Sequence, residues 1–181
     1  MKTPVAIIAY LMTAFLLPAP MASAMPKTVV VIRHAEKPSD DSNIHLSEKG
    51  YARAKKLPQF FLRFDSAPAI RLIAQGQKRA DSSLRPIETV MPASQQFQQP
   101  ILQQFVKGES RAMIDYVRAN HAFDGKTLVI SWGHDELGAI SALLGANQGE
   151  WSSKIFDRAW VFRFDADGAL VRFEDVAQDL N

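Results

Sequence analysis

The stretch TVVVIRHAEKP, from Thr28 to Pro38, restricts the possible folds of this chain more than any other. Four apolar residues in a row, Val29 to Ile32, read as a strand buried on both faces, as in a parallel sheet covered by helices on each side. That run leads straight into Arg33 and His34, with Glu36 and Lys37 close behind. Burying charge without a partner is costly, so something must meet Arg33 and His34 at the end of the strand.

A second strand of the same kind, TLVISW from Thr127 to Trp132, runs into Gly133, His134, Asp135 and Glu136. Around these two strands the pattern alternates. Ser47 to Phe61 has apolar residues at helical spacing, a Ser47 cap and Pro58 to break its end. Ala69 to Ala74 reads as a short strand, and Ser83 to Phe97 as a helix that tolerates Pro86 in its first turn. A strand over Pro100 to Phe105, a helix over Arg111 to His121 and a helix over Leu137 to Leu144, ended by Gly145, complete the alternation. The tail AWVFRFDADGALVRFEDV changes to period two around Asp167-Gly168, which predicts a hairpin. The expected fold class is α/β: three layers, a mostly parallel central sheet and a C-terminal antiparallel hairpin.

Residues 1 to 24 are expected to lie outside this fold. Lys2, the apolar VAIIAYLMTAFLL and the small residues Ala22-Ser23-Ala24 form a secretory signal, with cleavage after Ala24 and a periplasmic or secreted destination. The apolar stretch is shorter than a bilayer span, and no stable membrane insertion is expected after cleavage. Residues 25 to 181 then form one domain. Of 21 basic and 19 acidic residues only Lys2 precedes residue 25, so the mature chain is nearly neutral, which excludes a nucleic-acid-binding or membrane-surface polycation. The absence of cysteine excludes disulfides, thiolate metal sites and a cysteine nucleophile.

In open α/β sheets the ligand sits beyond the carboxyl ends of the strands. Two of the four histidines, His34 and His134, fall there at equivalent positions. Arg85, in SSLRPIET, stands where a loop passes into a helix after a third strand. Arg33, Arg85 and the two histidines would make a pocket for a tetrahedral anion, because guanidinium forks bind phosphoryl oxygens in pairs and stay charged. Blander roles exist for each. Arg33 could bridge to Glu36, Arg85 could simply begin a helix, and His134 with Asp135 or Glu136 could join His34 around a metal. His45 and His121 suit exposed or capping roles, Ser82 and Ser83 caps or secondary phosphate contacts, and Thr89 a bond within its helix.

R-H-A-E at Arg33 to Glu36, L-S-E-K-G-Y-A-R-A at Leu46 to Ala54, R-P-I-E-T at Arg85 to Thr89 and G-H-D at Gly133 to Asp135 together resemble, in order, the motifs of the histidine phosphatase superfamily. That superfamily includes phosphoglycerate mutases, acid phosphatases and phytases. The resemblance implies a phosphoglycerate mutase-like fold and a phosphohistidine intermediate on His34. It also implies that Arg33, Arg85 and His134 hold the phosphoryl oxygens and that no cofactor or metal is needed; for Glu36 a supporting hydrogen-bond role is expected rather than direct chemistry.

The resemblance leaves the proton donor open. The mutase-like branch uses a glutamate shortly after the third strand, where this chain has Gln103 and Gln104. The acid phosphatase branch uses the aspartate after the second histidine, which is Asp135; Glu136 is the rival and Glu109 a distant third. Either carboxyl needs a raised pKa for the task. The segment Lys37 to Leu46 is too short for a separate lid, which suits a bulky or varied substrate: a phosphorylated small molecule, an envelope sugar or a phosphoprotein. The alternatives are a domain of the same fold that binds phosphate or phosphosugar without turnover, and a metal-dependent hydrolase.

Overall fold

The computed structural model describes residues 25–40 and 42–180; the signal expected over residues 1–24 lies outside them. One six-stranded sheet organises the chain. The strands are β1 (Thr28–Arg33), β2 (Ile70–Ala74), β3 (Ile101–Leu102), β4 (Thr127–Trp132), β5 (Arg158–Phe164) and β6 (Leu170–Ala177), in the spatial order β3-β2-β4-β1-β5-β6. The first four run parallel, whereas β5 pairs antiparallel with β1 and with β6. Four helices pack on it: α1 (Glu48–Phe61), α2 (Arg85–Phe97), α3 (Ser110–Ala119) and α4 (His134–Leu143).

The continuous apolar strands have the reason expected of them. Val29 and Val31 enter one core with Met113, Ile114 and Val117 of α3 and Leu137 and Ile140 of α4. Val30 and Ile32 point the other way, into a core with Leu57, Phe60 and Phe61 of α1 and Ile87 and Val90 of α2. Alternate side chains of one strand thus serve opposite cores, so every position must be apolar. The fold is the expected three-layer phosphoglycerate mutase-like α/β arrangement, with the hairpin at the C-terminus.

Several boundaries move. Helix α1 ends at Phe61 as expected, but Pro58 lies inside it and does not break it; a proline near a helix end removes only one backbone bond, and here its ring is buried. Helix α2 begins at Arg85 rather than Ser83, with Pro86 in its first turn. The third strand shrinks to two residues at the sheet edge, followed by an isolated bridge between Gly76 and Val106. Helix α4 starts at His134, three residues earlier than expected, and Gly133 is its cap. No helix among the described residues is long and apolar enough to cross a membrane.

Register sets the site. Arg33 and Trp132 are paired neighbours at the ends of β1 and β4, so His34 and Gly133-His134 leave the sheet side by side. The amide of His34 donates to the Trp132 carbonyl at 3.0 Å, carrying the ladder one residue past the strand.

Candidate active site

Two helices hold the turn that follows β1. From α2, the Thr89 hydroxyl accepts from the Ala35 amide at 2.8 Å and donates to the Arg85 carbonyl at 2.7 Å. From α1, Ser47 caps the helix by accepting from Gly50, while its own amide and hydroxyl reach the Glu36 carbonyl at 2.9 and 3.1 Å. Arg53 closes a two-pronged bridge on the Glu36 carboxylate, both contacts at 2.9 Å, and Lys49 adds a third at 3.3 Å. The burial of Glu36 works to raise its pKa, but the Arg53 and Lys49 contacts win and hold it below the usual carboxylate value. Glu36 therefore anchors α1 to the turn and does not bridge to Arg33.

His34 is 7% exposed, and its Nδ1 sits 2.7 Å from the Ala35 carbonyl oxygen. A carbonyl can only accept, so Nδ1 carries the proton and the lone pair of the neutral ring is on Nε2. Burial pushes the His34 pKa down from 6.5 to about 4; the Ala35 bond opposes this, and the charges of Arg33, Arg85 and His134 add to it. The ring is neutral at ordinary pH and lines a pocket of about 470 Å³.

Arg85 and His134 line the same pocket. Arg85 donates from Nε to the His45 carbonyl at 3.1 Å and from Nη2 to the Asn43 carbonyl. His45 itself contacts Glu88 at 2.6 Å, so this exposed histidine helps hold the loop against which Arg85 lies. Burial and the nearby Arg33 lower the pKa of His134. Arg33 does not line the pocket. Its Nη1 donates to the Ser153 carbonyl and, at 3.5 Å, to that of Ile155, and its guanidinium lies 3.7 Å above the Phe156 ring. Desolvation brings its pKa down to about 10, which leaves it charged, and its buried Nε has no hydrogen-bond partner among the described residues.

The two proton-donor candidates part company. Asp135 lines the pocket and pairs with Lys107. Burial would raise its pKa, but Lys107 outweighs that and holds it below the usual carboxylate value, the opposite of the shift expected for a resting acid. Glu136 does not line the pocket: its two oxygens accept from the Gly108 amide at 2.7 Å and the Trp132 indole at 2.5 Å. Glu109 accepts from the Val106 amide at 3.0 Å.

Sequence reasoning passed over several lining residues: Gln75, Gly76, Lys78, Arg79 and Lys107. Gln75 accepts from the Gly133 amide at 3.0 Å and so fixes the start of α4. Gly76 allows two loops to meet, since a Cβ there would stand 2.0 Å from the Gln103 carbonyl oxygen. Ser82 and Ser83 line the pocket as well. Among the described residues no group of three His, Asp or Glu side chains is placed to hold a metal ion.

No protein-family model matches the sequence, and no curated protein does. Solved structures do. The protein histidine phosphatase SixA complexed with tungstate superposes with a TM-score of 0.59 at 14% identity, over 83% of this chain and 97% of that one. A putative phosphohistidine phosphatase SixA from Agrobacterium tumefaciens gives 0.53 at 17% identity, over 83% and 99%. A mycobacterial glucosyl-3-phosphoglycerate phosphatase with inorganic phosphate gives 0.50 at 10% identity, over 84% and 96%. At such identities the likeness is one of fold.

Proposed function

We propose that this chain is a phosphomonoester phosphatase that works through a phosphohistidine on His34, without a metal. The observation that carries the reading is His34 itself. A buried, neutral imidazole has its proton committed to the Ala35 carbonyl and its other nitrogen available in a pocket rich in cations. Further support comes from the fold neighbours solved with tungstate and with inorganic phosphate, both tetrahedral oxyanions.

In this reading His34 Nε2 attacks phosphorus and the bond to the leaving oxygen breaks. Arg85 and His134 take the equatorial oxygens, where charge spreads in the transition state, and Arg33 adds its positive field from behind His34 and His134 without touching them. Asp135 supplies the proton to the leaving oxygen, then takes one back from the water that hydrolyses the phosphohistidine. The dianion itself prepares that step: its charge raises the pKa of Asp135 and competes for Lys107. Glu36 and Thr89 keep the turn in place. The substrate is a phosphorylated small molecule, envelope sugar or phosphoprotein, met outside the cytoplasm after cleavage at Ala24.

A second reading has its own observation: among the described residues the one carboxylate lining the resting pocket is Asp135, held ionised by Lys107. That favours a domain that binds phosphate without turnover. The test is hydrolysis of a generic aryl phosphate by the protein exported from a Gram-negative host, its N-terminus read by mass spectrometry, with and without chelator, beside His34→Ala. Chelator-resistant turnover lost in the variant supports the phosphatase. Vanadate binding without turnover of any ester favours the binder, and turnover abolished by chelator favours a metal-dependent hydrolase.

A further inference from the structure

Four permanent cations, Lys78, Arg79, Arg85 and Lys107, line the pocket against one carboxylate, Asp135. A phosphoryl dianion leaves part of that positive charge unanswered. The excess is not spread evenly. Lys107 has Asp135 and Arg85 has the Asn43 and His45 carbonyls, but Lys78 makes no ion pair or hydrogen bond among the described residues. Among the described residues the Arg79 guanidinium meets only Asp81, at 3.2 Å, a pair with side chains 78% and 75% exposed, and pairs of that kind are held weakly.

The loop that carries Lys78 and Arg79 is also closed on itself. Gln77 donates from its side chain to the Ser82 carbonyl at 2.7 Å, the Ser82 amide donates to the Arg79 carbonyl at 2.9 Å, and the Arg79 amide donates to the Ser82 hydroxyl at 3.1 Å. Its two ends are fastened as well, Gly76 to the Phe105 carbonyl at 2.7 Å and Leu84 to the Ile44 carbonyl at 3.0 Å. A loop fixed in this way presents two cations at a set place beside the phosphoryl site, at little entropic cost on binding.

We infer that Lys78 and Arg79 form a second anion subsite, so the preferred substrate is a phosphomonoester whose leaving group carries another anionic group, a carboxylate or a second phosphate. This rests on the phosphate-binding reading of the pocket, but not on turnover. The test therefore uses ligands that cannot be hydrolysed. Calorimetry would compare alkylphosphonates with ω-phosphonocarboxylates and α,ω-bisphosphonates of increasing chain length, on the full chain and on the Lys78→Ala/Arg79→Ala double variant.

The doubly anionic ligand of best length should bind about tenfold tighter than its alkylphosphonate partner, and the double variant should bring that ratio close to one. Raising the salt should narrow the ratio in the unmodified protein, a check that needs no variant to fold. Whichever second group gives the larger ratio identifies the source of the second charge. A ratio near one in the unmodified protein, or a ratio unchanged in the variant, overturns the subsite while leaving the phosphoryl site standing. If no phosphonate binds at all, both readings fall together.

Discussion

Successive residues on a helix are rotated by about 100° about its axis, and this separates Asp135 from Glu136. In the sequence both stand in what reads as one turn after a strand. With α4 beginning at His134 they occupy its first turn and diverge, Asp135 to the pocket and Lys107, Glu136 to the Trp132 indole and the Gly108 amide. Their roles could not be told apart while the helix start was misplaced by three residues. The histidines were legible for the opposite reason: each directly follows a fully apolar strand, and strand ends are the easiest places to fix. Lys78, Arg79 and Lys107 were not, because loops carry no period and their cations look like any solvated charge. If Lys107 is what holds Asp135 ionised, Lys107→Met should raise the midpoint of the Asp135 carboxyl titration, read from its side-chain carbon shift. In a catalytic protein the alkaline limb of the kcat profile should rise with it. An unmoved midpoint would remove Lys107 from the electrostatics of the site.

The motif Leu46 to Ala54 was visible in the sequence only as a resemblance, and its physical cause appears at the level of the element. Helix α1 exists to be fastened to the turn after β1: Ser47 caps it and bonds Glu36, Arg53 forks onto the Glu36 carboxylate, and Gly50 lets the two backbones meet. A Cβ on Gly50 would stand 2.3 Å from the Glu36 carbonyl oxygen, which is backbone and cannot swing aside. Two effects compete in Gly50→Ala. Better helix propensity would add about 1 kcal/mol, whereas overpacking against fixed backbone costs about 1–3 kcal/mol and pushes the turn that aims His34. The clash should win, lowering the urea midpoint and weakening vanadate binding together. A variant more stable than its parent would mean that α1 and the turn are not in contact as described. The third strand failed for a related reason: Pro100 to Phe105 has strand-like residues, but only Ile101 and Leu102 find a partner in β2 before the chain bends toward Gly76.

At the scale of the whole molecule, the two cores are apolar and the buried ionisable side chains among the described residues are gathered at one end of the sheet: Arg33, His34 and Glu36. That concentration makes stability depend on pH in a defined window. His34 titrates near 6.5 in an unfolded chain but at about 4 in the fold, mainly because burial disfavours its charged form. Between those values the unfolded state binds more protons, so stability is complete above about pH 6.5 and is lost as the pH falls towards 4. His134 is shifted in the same direction. Glu36, Asp65 and Asp135 have lowered pKa values, so their own losses come below the ordinary carboxylate range and leave the span from pH 6.5 to 4.5 mostly to the histidines. The shift of His34 over that span corresponds to about 2–3 kcal/mol. The urea midpoint should therefore fall between pH 7 and pH 4.5, and His34→Gln, which cannot titrate, should fall by clearly less. If both proteins lose the same stability, His34 is not the buried neutral base that the phosphohistidine chemistry requires, and the destabilising protons bind elsewhere.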